Sequence, residues 1–213
     1  MFITLEGIEG SGKTSQIKPI VDFFKTQGIC CVTTREPGGT IVGGKIRAIL
    51  LDPENKDIDP VTELLLYNAD RRQHINQIII PALSSGKTVV CDRYFDATIA
   101  YQGYARGLNI SLIKQLHELA TENLKPDITF LLDLNPEIGL KRAWKQVKNG
   151  QRTDMETRFE KEKLSFHEKV RKGYLDIARF EPDRFKIIDA SQNITCVQQD
   201  IINTLTTIIK KTL

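Results

Sequence analysis

The chain has 213 residues, 40% of them hydrophobic and 27% charged, a globular rather than a disordered composition. Its 30 Lys and Arg against 27 Asp and Glu leave a net charge of +3, too small a bias for non-specific capture of nucleic acid polymers or anionic membranes. No uncharged apolar stretch approaches the roughly 18 residues of a membrane span, and no basic residue precedes Lys13, so the start does not read as a secretory signal.

In chain order, apolar runs at 2–5, 29–34, 88–91, 127–132 and 185–188 predict five short strands. Their apolarity is continuous rather than alternating, which suits strands covered on both faces and hence a parallel sheet. A helix is expected after Gly12, with Pro19 inside it forcing a kink or a 3₁₀ turn. Helical spacing recurs at 61–83, 110–123, 136–147, 159–180 and 195–209. Alternating strands and helices make the class α/β, a five-stranded parallel sheet flanked by helices. Neither a repeat nor a linker divides the chain, so residues 1–213 are expected to form a single domain. The polar segment 148–158 is either a solvated connection or a mobile flap carrying positive charge over a ligand. Cys30, Cys31, Cys91 and Cys196 are too few for a disulfide framework and read as buried thiols of a cytoplasmic protein.

The most specific motif comes first. Gly7-Ile8-Glu9-Gly10-Ser11-Gly12-Lys13-Thr14 matches the P-loop pattern G-x-x-x-x-G-K-[ST], between a strand and a helix as that pattern requires. Its glycines let backbone N–H groups converge into an anion-binding concavity, and the helix N-terminus adds partial positive charge. Lys13 can reach the β and γ phosphates of ATP or GTP, and the Thr14 hydroxyl is placed to ligate Mg²⁺. A GTPase switch would carry Asn-Lys-x-Asp, whereas Asn55-Lys56-Asp57-Ile58 ends on an apolar residue, and the Leu-Ser-Gly-Gly-Gln signature of transport ATPases is absent. A small-molecule kinase is favoured.

Asp92-Arg93-Tyr94 leaves the carboxyl end of a strand, the edge where doubly wound sheets bind ligands. Asp92 is a candidate for organising Mg²⁺ and Arg93 for clamping a phosphate. The run 34–40, Thr-Arg-Glu-Pro-Gly-Gly-Thr, leaves the second strand in the same way. Tyr67 and Arg71, four apart, share one helix face and would suit a flat base, unless they are only a packed ring and a surface cation. Thr98, Tyr101 and Gln102 also share a face and could read a base edge or merely cap local backbone.

Taken together, residues 7–14, 34–40, Asp92-Arg93-Tyr94, Ala100-Tyr101-Gln102-Gly103 and the run 131–136 (Leu-Leu-Asp-Leu-Asn-Pro) resemble bacterial thymidylate kinases, over essentially the entire chain. The resemblance implies a P-loop nucleoside monophosphate kinase fold, usually a cytoplasmic homodimer. It implies transfer of a phosphoryl group from ATP to dTMP, giving dTDP for dTTP synthesis. Another P-loop nucleotide or nucleoside kinase with a different acceptor is the alternative. Carried over by residue, Arg71 would contact the thymine carbonyl and Tyr67 would stack on the ring, where the family more often has Phe. Thr98 and Gln102 would face the base, Tyr101 the sugar and Pro37 the thymine methyl. Glu9 would accept from the deoxyribose 3′-hydroxyl, Arg47 and Arg93 would hold the dTMP phosphate, and Arg142 would stack on adenine. Some relatives carry an arginine inside the P-loop. This chain has none there, which implies that 148–158 is a LID supplying the charge from Arg152 or Arg158.

Overall fold

In the structure, a computed structural model that describes residues 1–212, the five expected strands form one sheet. They are β1 (Phe2–Glu6), β2 (Cys31–Arg35), β3 (Thr88–Asp92), β4 (Ile128–Asp133) and β5 (Phe185–Asp189), in the spatial order β2-β3-β1-β4-β5. Every pairing is parallel, with Ile3 opposite both Val90 and Ile128. The chain leaves β1 for the β2–β3 side and returns past β1 to β4, so a crevice opens beyond the carboxyl end of β1.

The three central strands are mostly apolar because helices cover both their faces: Ile3, Leu5, Val90, Phe130 and Leu132 are fully buried. Ile20 and Phe24 of α1 (Lys13–Thr26) and Val170 and Ile177 of α8 (Leu164–Phe180) join the same core. Fully burying one such side chain contributes about 1.5–3 kcal/mol. The edge strands depart from the expectation of two covered faces. Thr33 and Arg35 of β2 and Ile187 and Asp189 of β5 are exposed, since an edge has fewer neighbours to cover it.

Pro19 does not break α1, which continues as one α-helix from Lys13 to Thr26. The carbonyl that loses its partner belongs to Ser15, which is exposed, so water can serve it. Helix α2 (Ile41–Leu51), which the apolar periodicity did not reveal, starts from Thr40, whose side chain accepts from Gly43 N–H. The helix expected over 61–83 divides into α3 (Pro60–His74), one wide turn of i→i+5 bonding (Ile75–Ile79) and α4 (Ile80–Ser84). Pro81, which has no N–H for a carbonyl four residues back, follows that turn.

Beyond β3 come α5 (Phe95–Thr98), a second wide-turn segment (Ile99–Ala105) and α6 (Ile110–Thr121). Then α7 (Pro136–Lys148) is capped by Asn135, and α9 (Ile194–Thr212) closes the fold. Helix α8 begins at Leu164, not at 159, because residues 158–162 curl into turns that bury Phe159 and Glu160. The cysteines also depart from expectation: Cys91 is buried, whereas Cys30 and Cys196 are exposed and all four are unpaired. Among the described residues no helix is long and apolar enough to cross a membrane.

Candidate active site

The crevice holds a cavity of about 590 Å³, walled by the P-loop, the exits of β2 and β3, α3, the segment after α5 and the connection from α7 to α8. The P-loop is pressed against α7. A Cβ on Gly10 (φ +69°) would fall 2.1 Å from the Gly139 carbonyl oxygen, so backbone meets backbone and only glycine fits. Gly12 precedes α1 in a left-handed conformation with no side-chain cap, leaving the first N–H groups of α1 without a side-chain acceptor. Lys13 Nζ donates to the carbonyls of Gly7 and Ile8, each at 2.9 Å. Burial, with Arg93 adding repulsion, lowers its pKa to about 8, which leaves the ammonium charged at neutral pH. Thr14 Oγ1 donates to Asp92 Oδ2 at 2.8 Å, bringing the two residues expected at a metal together.

Arg93 leaves β3 with φ 69°, a left-handed conformation that costs a non-glycine residue about 1–3 kcal/mol. Its guanidinium forks between Tyr174 Oη and Glu9 Oε1, both at 3.0 Å. Glu9 also accepts from Tyr101 Oη at 2.5 Å and from His167 Nδ1 at 3.1 Å. Burial pushes the Glu9 carboxyl up, but His167, Arg93 and Lys13 together outweigh it and hold the group below the usual carboxylate range. Behind Arg93 lies Glu6, wholly buried, which accepts from the Tyr94 backbone N–H and from Tyr174 Oη, both at 2.7 Å. Burial, with Asp96 adding repulsion, pushes Glu6 up to about 7.

Tyr67 and Arg71 do share one face of α3 and both line the cavity. Arg71 is anchored from behind, with Nε on Glu36 Oε2 at 2.8 Å and Nη2 on the Tyr94 carbonyl at 3.2 Å, while buried Nη1 has no partner. His74 Nδ1 holds the other Glu36 oxygen at 2.9 Å. Thr98, Tyr101 and Gln102 reach the same cavity from the segment after α5, and the buried Thr98 Oγ1 is likewise unpartnered. Pro37 sits on the wall at the exit of β2.

Arg47 of α2 donates to the Pro37 carbonyl and forks onto Glu156, at 2.8 Å from Nε and 2.6 Å from Nη2. Glu156 belongs to a single 3₁₀ turn (Asp154–Glu156) within the polar segment. Arg152 lines the cavity, bound to Glu160 and to the Glu156 carbonyl. The two arginines of the segment therefore part company. Arg158 lies off the cavity wall, buried, stacked over Phe159 and bound to Glu63 and the Leu50 carbonyl. Its position follows from the burial of 157–160, where the segment has already rejoined the core. Arg142 also stands apart from this wall, beside β5, with Nη1 on the Ala190 carbonyl at 2.9 Å. Gly7, Ile8 and Ser11 form the inner turn of the P-loop rather than its cavity face.

Glu6, Glu63, His167 and Tyr174 escaped the sequence reading, since each meets its partners across large sequence separations and none lies in a spaced motif. Glu36 lies in the 34–40 run, but its hold on Arg71 and His74 is seen only in the fold. The cavity thus pairs a phosphate-binding loop and a hydroxyl–carboxylate pair with five arginines, Arg35, Arg47, Arg71, Arg93 and Arg152, and with the unpartnered Arg71 Nη1 and Thr98 Oγ1. Such a site can hold two phosphorylated groups and a flat ring.

A family model described as thymidylate kinase matches residues 5–201. The chain is 60% identical to the thymidylate kinase of Desulfosudis oleivorans over 89% of both chains. It is 58% identical to that of Desulforapulum autotrophicum, over 89% of this chain and 84% of the relative. The crystal structure of thymidylate kinase from Ehrlichia chaffeensis superposes with a TM-score of 0.76 at 36% identity, covering 97% of this chain and 98% of the other. P-loop, Asp-Arg-Tyr turn and parallel sheet are thus found together along one chain that matches these kinases over nearly its full length, and the chain belongs to the thymidylate kinase family.

Proposed function

We propose that this cavity is where ATP and dTMP meet, so that the γ-phosphoryl group passes to the dTMP phosphate and yields dTDP and ADP. The observation that carries the assignment is the placement of Lys13, Arg93 and the unpartnered Nη1 of Arg71 on one cavity. The P-loop residues 7–14 would hold the ATP phosphates, Lys13 exchanging the Gly7 and Ile8 carbonyls for phosphate oxygens. Arg142 of α7, reaching the loop after β5, would pack on adenine.

Thr14 Oγ1 and Asp92 Oδ2 are hard oxygen donors within 2.8 Å of each other, the donor chemistry that Mg²⁺ takes beside substrate phosphates. When bound, Mg²⁺ neutralises charge on the β and γ phosphates. On the acceptor side, Arg47 and Arg93 would grip the dTMP phosphate. Tyr67 would stack on thymine, Arg71 and Thr98 would bond its edge with Gln102, and Pro37 would pack beside its methyl. Glu9 has about four lone-pair sites as a carboxylate. Arg93, Tyr101 and His167 take three, which leaves one for the deoxyribose 3′-hydroxyl.

The attacking oxygen belongs to a phosphate that is ionised at neutral pH, so the chain needs no general base. Its task is alignment and stabilisation of charge on the moving group. Lys13 and Arg93 supply fixed positive charge, and Arg152, on the part of the 148–158 segment that lies outside the core and would act as the LID, would complete it. LID closure would exclude water as a competing acceptor. Residues 1–213 act as one kinase domain. A homodimer is supported by the exposed Ile41, Val42 and Ile49 of α2 and Val61 and Leu65 of α3, an apolar face on packed helices. ADP release measured over dTMP, dUMP, AMP, GMP and thymidine tests the reading. It is supported by acceptor-dependent turnover strongest with dTMP, and overturned by hydrolysis independent of acceptor or by preference for another acceptor.

A further inference from the structure

Glu63 is a carboxylate beside the cavity for which the reaction above has no use. It is 1% exposed, on α3. Arg158 Nη2 binds its Oε2, while Arg106 Nε reaches Oε1 at 3.4 Å and Gln102 Nε2 reaches the same oxygen at 2.7 Å. A carboxylate facing two guanidinium groups offers acceptor atoms only. The Gln102 side chain therefore has one favourable orientation, its NH₂ toward Glu63. Gln102 is itself buried and lines the cavity, so the amide atom left for a ligand is its carbonyl oxygen.

The wall then has a polarity. Arg71 Nη1, buried and unpartnered, is a donor, and Gln102 Oε1 is an acceptor. A pyrimidine with a carbonyl at C4 and an N–H at N3 matches that pair. Cytosine presents the reverse, an amine at C4 and a bare acceptor at N3. Rotating the Gln102 amide by half a turn would reverse the preference at N3. We propose that Glu63 is a positioning residue for base discrimination: by holding the Gln102 nitrogen it keeps the amide carbonyl toward the base, selecting the oxo and N3–H edge of thymine over the edge of cytosine. The proposal rests on the reading that the base lies against Gln102. Sites that leave a buried polar group unpaired with the wrong ligand discriminate strongly, by as much as about 10⁴–10⁵, and Arg71 retains part of that selectivity whatever Glu63 does.

Glu63→Gln makes the test sharp. With its carbonyl kept on Arg158, the new side chain turns an NH₂ toward Gln102, which must answer with its own carbonyl and present NH₂ to the base. The readout is the ratio of kcat/KM for dTMP to that for dCMP, in which the fraction of folded enzyme cancels. Glu63→Gln is expected to lower this ratio at least about tenfold, the worth of roughly one neutral hydrogen bond. Glu63→Asp, which keeps a charge for Arg158 but withdraws from Gln102, is expected to lower it less. Gln102→Leu separates the two readings. If it leaves the ratio unchanged, the base does not lie against Gln102. If it lowers the ratio while both Glu63 variants keep the native value, the role given to Glu63 is overturned and the site assignment stands. In the unmodified enzyme, the Gln102 side-chain amide, assigned in NMR spectra by its loss in Gln102→Leu, is expected to be protected from exchange with water. Unprotected exchange with native folding would overturn the proposal even if neither Glu63 variant folds.

Discussion

Replacing Arg71 by Ala removes two things at once, and the structure separates them. The first is Nη1, the unpartnered donor on the cavity wall. Loss of one charge-assisted hydrogen bond to a substrate carbonyl costs about 1.5–3 kcal/mol, or roughly 10- to 150-fold in kcat/KM. The second is the cation paired with Glu36 inside the protein, where the two side chains are 1% and 2% exposed. Breaking one half of a buried ion pair destabilises by about 3–5 kcal/mol. Glu36 keeps His74 at 2.9 Å, which places the expected cost toward the lower end. At about 2–4 °C per kcal/mol for a chain of this size, 3 kcal/mol corresponds to a fall in Tm of roughly 6–12 °C. Initial rates over a dTMP series at saturating ATP, beside calorimetry, read both. We expect KM for dTMP to carry the loss, with kcat changed by less than about threefold. A fall in kcat at saturating dTMP with KM unchanged would refute the reasoning, because Arg71 would then act at the reacting phosphates. An unaltered Tm would refute the second half.

Arg152→Ala and Arg158→Ala should separate cleanly: the first lowers kcat by about 10²–10³, the second lowers stability by about 3 kcal/mol, the low end for breaking a buried pair, because Glu63 keeps Arg106 and Gln102. Steady-state rates together with thermal melts distinguish them, and an equal loss of kcat in both would return Arg158 to the transfer step. Glu6 sets a pH dependence of stability. Its carboxyl is raised from 4.5 to about 7 in the folded chain, so its contribution is complete below about pH 4.5 and is lost as pH climbs through 7. The span is worth roughly 3 kcal/mol, and Glu6→Gln should flatten that part of the profile in denaturant titrations at pH 5 and pH 8. An unchanged difference between the two pH values would speak against it.

The strands were legible because residues of a sheet covered on both faces are mostly apolar, as in β1, β3 and β4, where buried Thr4, Thr129 and Glu6 are hydrogen-bonded exceptions. The P-loop and the Tyr67–Arg71 face were legible because local geometry dictates them: a glycine turn in one case, four-residue helical spacing in the other. Helix α2 was hidden because its apolar residues Ile41, Val42 and Ile49 face outward and two glycines dilute its pattern, although Thr40 before it was a readable cap. The carboxylates behind the arginines were hidden for a different reason. Glu63 meets Arg158 across 95 positions and Glu6 meets Tyr174 across 168, so no spacing marks them. Arg158 could not be told from Arg152 by sequence for the same reason, since only the folded chain shows where the polar segment ends and the core resumes.

The fork between Arg47 and Glu156 has a consequence for timing. A carboxylate offers a guanidinium the same pair of oxygens that a phosphate would. A phosphate arriving at Arg47 therefore competes with Glu156 and, on winning, cuts the tether between α2 and the 3₁₀ turn. Arg152 holds the carbonyl of that same residue. If Arg47 grips the acceptor phosphate as proposed, acceptor arrival and loop freedom would be two faces of one exchange. On the proposed reading, an order of events would follow from this one side chain: the loop would be released once the acceptor is in hand.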